Sequence, residues 1–210
     1  MPAKSAVVEL QYLPCLEYFA CLLKYDTVYI EAHEHYQKQS YRNRCHILTA
    51  TKVAILSVPI VKGNSKQLIR DVQIDYTQKW LTDHWRTIYS AYGKAPFFEH
   101  YADFFERVYV KKYKYLFDLN LDLLTNCLSL LKVNKKINFT DSYKSTEEIA
   151  VKDFRSAIHP KSGDKNSNLY TPVRYRQNFG NNFVSNLSII DVLFCEGPRS
   201  LEIIRQSVIL

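Results

Sequence analysis

A chain of 210 residues with 47% hydrophobic and 23% charged residues can build one core of ordinary size, which excludes a disordered chain and argues against two fully independent domains. Five glycines and seven prolines argue against flexible linkers and glycine-rich phosphate loops. The 28 Lys and Arg against 21 Asp and Glu give a formal charge of +7, a balance that favours anionic partners without bearing on the fold.

In chain order, Ala6 to Tyr12 is β-rich and ends at Leu13-Pro14, because proline fixes φ and lacks an N–H. Cys15 to Tyr25 places Leu16, Phe19, Ala20 and Leu23 at helical spacing, and Thr27 to Ala32 is a β-branched and aromatic run. Strand, turn, helix and strand in that order predict a βαβ unit with a parallel pair. Cys45 to Thr51, Lys52 to Val61 and the alternating Leu68 to Ile74 read as further strands, so residues 6 to 75 are expected to build the sheet. Thr77 is placed to cap a helix through Trp80, His84, Ile88 and Tyr92; Phe97 to Val110 and Tyr113 to Lys132 continue the helical part, which is expected to run over about 77–210. Lys135 to Phe139 reads as a returning strand, Ser145 opens a short helix to about Arg155, and two helices separated by Gly197-Pro198 close the chain. The stretch His159 to Tyr175 has loop composition and is a candidate lid. The predicted fold is therefore one α/β domain over residues 1–210, with a mixed, largely parallel sheet from the N-terminal third and a predominantly helical second half.

Cys15, Cys21, Cys45, Cys127 and Cys195 form no Cys-x-x-Cys pair and are odd in number, so buried free thiols in a reducing compartment are expected. The start of the chain shows no signal-peptide core and no run approaches a membrane span, so a cytoplasmic location and no transmembrane segment are expected. Basic clusters such as Lys111-Lys112-Lys114 are interleaved with rings at helical spacing. This favours core packing over specific nucleic-acid binding.

The densest polar stretch is Glu31 to Arg44. If the second strand continued, Glu31, His33 and His35 would share a face, as a polar pocket, a weak metal-ligand set or a solvated edge. Arg42-Asn43-Arg44 carries two guanidinium forks around an amide, suited to an anion or to structural ion pairs. His84 lies between Trp80, Trp85 and Ile88, as a core histidine or as a general acid or base facing a cleft. His159 would join a site by loop closure. No nucleophile elbow, Walker sequence or Gly-x-Gly-x-x-Gly is present. Sixteen tyrosines, eleven phenylalanines and two tryptophans bring the aromatic share to 14%; most fit packing positions, whereas Tyr12, Tyr36, Tyr41 and Tyr175 flank the polar segments and are candidates for ligand contact.

Gln11-Tyr12-Leu13-Pro14, Tyr18-Phe19, Tyr36-Gln37-Lys38, Tyr41-Arg42-Asn43-Arg44, Pro59, His84-Trp85, Ala95-Pro96-Phe97-Phe98 and the tail from Tyr175-Arg176-Gln177 through Asn186 to Asp191 and Gly197-Pro198 resemble the bacterial WbqC family nearly end to end. That resemblance implies a role in O-antigen biosynthesis and a transferase of glycyl, other aminoacyl or acyl groups. Two departures stand out: Glu17 where the family usually has glycine, and Glu31-Ala32-His33-Glu34 where it is rich in aspartate. Taken together, the expected function is transfer from an activated anionic small-molecule donor to a sugar-like acceptor. Catalytic roles fall to Glu31, His33 and His84, and substrate contacts to Tyr12, Arg42, Asn43, Arg44 and Tyr175. A non-catalytic module binding an anionic ligand or a protein is the alternative. The sequence names no cofactor and no oligomeric state.

Overall fold

The computed structural model describes residues 4–61, 66–146, 148, 151–161 and 168–209. Strand β1 (Ser5–Val8) leads through a tight connection into α1 (Leu16–Lys24), and β2 (Thr27–Ile30) returns beside β1. The pair is parallel, with Ser5 opposite Thr27 and Val8 opposite Ile30. Ala6, Val8, Val28 and Ile30 face the main core, whereas Val7 is buried outside it. The turn before α1 is held in an uncommon backbone: Leu13 has φ 43°, a value that costs a branched residue strain. The chain's tail secures it. Leu16 N–H donates to the Leu187 carbonyl, Ile189 N–H to the Pro14 carbonyl and Ser188 Oγ to the Leu13 carbonyl. The Glu17 backbone N–H donates to Asn186 Oδ1 at 3.0 Å, and Asn186 Nδ2 donates to Glu17 Oε2 at 2.9 Å, the second a bond that a glycine at position 17 could not make.

Strands β3 (Arg44–Leu48) and β4 (Val53–Ser57) form a separate antiparallel hairpin rather than joining the main sheet. The expected strand Leu68 to Ile74 is instead a chain of single bridges around a short 3-10 turn, Ile69–Asp71. Its buried residues, Ile69, Val72 and Ile74, are spaced three and then two apart, which no pleated strand can satisfy.

Helices α2 (Trp80–Tyr92), α3 (Phe98–Val110) and α4 (Leu116–Leu130) follow. Thr77 does not cap α2; its N–H donates to Asp75 Oδ1, a local turn that delays the helix to Trp80. Strand β5 (Ile137–Phe139) then pairs parallel with β2, and β6 (Lys152–Asp153) pairs parallel with β1. The sheet order is β5-β2-β1-β6. The helix expected from Ser145 to Arg155 gives way to β6; Glu147, Ile149 and Ala150 of that stretch, and residues 162–167 of the candidate lid, lie outside the described residues. Helix α5 (Ile189–Glu196) is buried around its circumference from Ile189 to Cys195, apolar except for Asp191, as a central helix must be. Gly197 ends it at φ 53°, where a Cβ would stand 2.4 Å from Cδ1 of Phe97, so no larger residue fits. Helix α6 (Ser200–Gln206) completes the chain. All five cysteines are free and buried.

The fold is thus α/β, with the two central parallel strands from the N-terminal part and a second half that is mostly helical. Its edge strands β5 and β6 come from that second half.

Candidate functional site at the carboxyl edge of the sheet

All four strands of the main sheet run the same way. The residues that follow them therefore emerge along one edge: Glu9 and Gln11 after β1, Glu31 to Glu34 after β2, Thr140 after β5, Arg155 and Ser156 after β6. Successive strands β1, β2 and β5 step one way from β1, and β6 returns to its other side. The strand order reverses between β1 and β6, the place where open α/β sheets form a binding crevice.

Glu31 is fully buried. Strand β2 ends at Ile30, so the expected shared face of Glu31, His33 and His35 does not form. Instead Glu31 Oε1 accepts from the His33 N–H and from Thr140 Oγ1, both at 2.8 Å, and Oε2 accepts from Arg155 Nη1 at 2.8 Å. Arg155 also forks onto Asp153, and these carboxylates hold its guanidinium strongly protonated. His33 is half-buried and His35 exposed. Among the described residues no three His, Cys, Asp or Glu side chains gather as metal ligands.

Arg42 is 0% exposed and meets Glu34 through two bonds, Nε to Oε1 at 2.7 Å and Nη2 to Oε2 at 2.5 Å. Nη2 also donates to Ser156 Oγ at 3.1 Å, and Ser156, itself at φ 65°, sends its N–H to Glu9 Oε2 at 2.9 Å. Burial pushes the Glu34 carboxyl up, the Arg42 bonds pull it down, and the nearby Glu9 and Glu31 carboxylates raise it again. One Arg42 nitrogen, Nη1, is buried without a hydrogen-bond partner among the described residues, and so is Nε of the half-buried Arg44. A buried donor left unpaired costs about 1–3 kcal/mol, more when charged, so two neighbouring arginines in that state are unusual. His159 and Tyr36 share their surroundings. Burial lowers the His159 pKa, and Lys161, Arg42 and Arg44 lower it further; burial raises that of the Tyr36 phenol, against the pull of Arg44 and Arg42.

The remaining expected site residues lie elsewhere. Asn43 donates from Nδ2 to the Val58 carbonyl and anchors the exit of β4. The Tyr12 hydroxyl meets His84 Nδ1 at 2.9 Å and the Tyr109 hydroxyl at 2.5 Å, all three being buried. Burial drives the His84 pKa from the ordinary 6.5 to about 4. Tyr175 donates to Asp191 Oδ2 at 2.6 Å, and Tyr92 donates to Oδ1 at 2.7 Å. The edge thus assembles Glu31, His33, Arg42 and Arg44, and keeps Tyr12, His84 and Tyr175 in two separate networks. Glu9, Arg155 and Ser156 were not singled out from the sequence; only the rule that loops after parallel strands converge could have found them.

The helix α1 amino terminus is not an anion seat, because its first N–H groups are taken by Leu187 and Asn186.

A parallel sheet whose order reverses at a charged edge, with polar groups gathered at the reversal, makes this an α/β protein. The sequence matches the model of the WbqC-like protein family over residues 11–157 and 161–203, and the chain belongs to that family. It is also similar to an uncharacterized protein of Mycobacterium tuberculosis, Rv1507c, at 29% identity over 231 residues, which take in 97% of this chain and 99% of the relative. No solved structure matches the chain. No helix among the described residues is long and apolar enough to cross a membrane.

Proposed function

We propose that the carboxyl edge of the sheet binds the anionic group of an activated small-molecule donor, and that the protein transfers the activated group to a sugar-like acceptor in bacterial surface-polysaccharide assembly. The observation that carries this is the pair of unpartnered buried guanidinium nitrogens, Arg42 Nη1 and Arg44 Nε, beside the strand-order reversal. Glu34 holds Arg42 by two nitrogens and so aims the third, which a phosphate or carboxylate oxygen satisfies with a charge-assisted bond. Because Arg42 is covered, entry requires the segment carrying Ser156 and His159 to shift. His33, whose backbone N–H donates to Glu31 on the same edge, carries the imidazole proposed as base for the acceptor hydroxyl or amine. The transferase class and the polysaccharide setting rest on the family resemblance.

Calorimetric titration with inorganic pyrophosphate and with nucleotide sugars tests the anion site. Binding that Arg44→Ala weakens at least about tenfold, the loss of one charge-assisted bond, is the expected result; binding indifferent to Arg44→Ala, or none, refutes the site. A binding-module reading draws on the hollow on α2 and α3 lined by Trp85, Tyr89 and Phe98 and rimmed by Glu99, Asp103 and Glu106.

A further inference from the structure

A cavity of about 270 Å³ opens on the face of the sheet opposite the main core. Val7 and Tyr29, direct partners in the β1–β2 register, lie on its floor, Phe139 at the end of β5 forms a wall, and Thr140, Asp141 and Lys144 form the rim. Phe139 is 38% exposed although it is a large apolar ring. Parallel sheets ordinarily bury both faces under helices; here the connection after β5 covers this one.

Described residues of that connection, Tyr143, Lys144 and Thr146, are tied to Asp153 and Arg155. Arg155 Nη2 donates to the Lys144 carbonyl at 2.8 Å, its guanidinium lies 4.6 Å from the Tyr143 ring centre, and Thr146 Oγ1 donates to Asp153 Oδ2 at 2.8 Å. The cavity also borders the charged edge. Thr140 lines it and donates to Glu31, whose other oxygen receives Arg155.

We propose that this cavity is a subsite for a nucleobase, the ring end of a nucleotide-activated donor. The size suits one ring system more than a whole donor, which calls for the roughly 300–1,000 Å³ of a drug-sized ligand's pocket. The lining decides against an acyl chain. Tyr29 and Phe139 offer ring surface for stacking, while the phenol of Tyr29, the Asp141 carboxylate and the Lys144 ammonium supply donors and acceptors for the polar edge of a base. An acyl chain would use only the apolar lining, Val7, Val151 and the ring faces, and leave the polar rim to water. The inference rests on the transferase reading for the word donor, and the cavity itself stands apart from the arginine site.

The test uses uncharged probes, so that it is independent of Arg42 and Arg44. Adenosine, uridine and ribose are titrated into the native protein, into the Tyr29→Leu/Phe139→Leu variant and into Arg44→Ala, with unfolding midpoints measured alongside. The expected result is nucleoside binding at least about tenfold tighter than ribose, the usual contribution of one stacked base, lost in the double variant and unchanged in Arg44→Ala. In native protein the base protons should show magnetisation transfer to the Tyr29 and Phe139 rings, a readout that needs no variant. Nucleosides that bind no better than ribose, or that show transfer to other rings only, overturn the subsite. The anion site is then judged separately by the pyrophosphate titration, so either reading can fail alone.

Discussion

Two of the buried polar networks in this protein do opposite things with their hydrogen bonds. Around Tyr12, His84 and Tyr109 the groups are neutral and paired with one another, and His84 also bonds to the Ser57 backbone. Along the carboxyl edge the groups are charged, and two arginine nitrogens, Arg42 Nη1 and Arg44 Nε, have no partner among the described residues. Both contain residues that chemistry often uses. Burial of a histidine or tyrosine therefore says little about function, and an unsatisfied charge held in place by a satisfied one says more, because folding stability alone would not retain it.

That contrast can be broken most forcefully at the ion pair. Replacing Arg42 with Met leaves Glu34 buried and unpaired and should cost about 3–5 kcal/mol; adding Glu34→Leu should return most of the loss. Urea unfolding of the two variants checks this, and a double variant as unstable as the single one would mean that Arg42 stabilises through something other than the pair. The neutral network makes a claim of nearly the same size about acid. His84 has its folded pKa lowered from 6.5 to about 4, so the unfolded chain takes up its proton first. The stability is fully present above about pH 6.5 and is lost as pH falls towards 4, by about 3 kcal/mol in total. In His84→Gln that slope should vanish, as thermal unfolding across pH 4 to 7 would reveal.

Smaller changes sharpen the comparison. Tyr109→Phe removes one buried hydroxyl and should cost about 1–2 kcal/mol without altering ligand binding. A change in pyrophosphate affinity would join the two networks that the structure separates. Arg44→Ala should do the reverse: it removes a buried donor that has no partner among the described residues, so urea unfolding should show the variant at least as stable as the native protein, while anion binding weakens about tenfold.

The βαβ opening was legible because proline, helical spacing and β-branched runs are local signals, and β1, α1 and β2 follow them. Strand β6 was not: two residues, Lys152 and Asp153, become a strand by pairing with β1, and nothing in their own composition says so. The arginines of the site were legible as forked donors near a polar run. Their partner Glu34 was named only as a stand-in for a family carboxylate, and Ser156 and Arg155 lie more than a hundred residues away along the chain. His84 and Tyr12 drew attention for their residue type. Their three-ring contact depends on α2 and α3 closing over the β1–α1 turn, a long-range event that spacing does not encode.

The central claim is that Arg42 Nη1 is held for an anion. Nitrogen-15 spectroscopy of the arginine side chains during a pyrophosphate titration addresses it directly. The guanidinium protons of Arg42 should shift saturably with added anion, at the same affinity that calorimetry gives, while those of Arg155, already bonded to Glu31 and Asp153, stay put. Saturable binding that leaves the Arg42 signals unmoved would contradict the account.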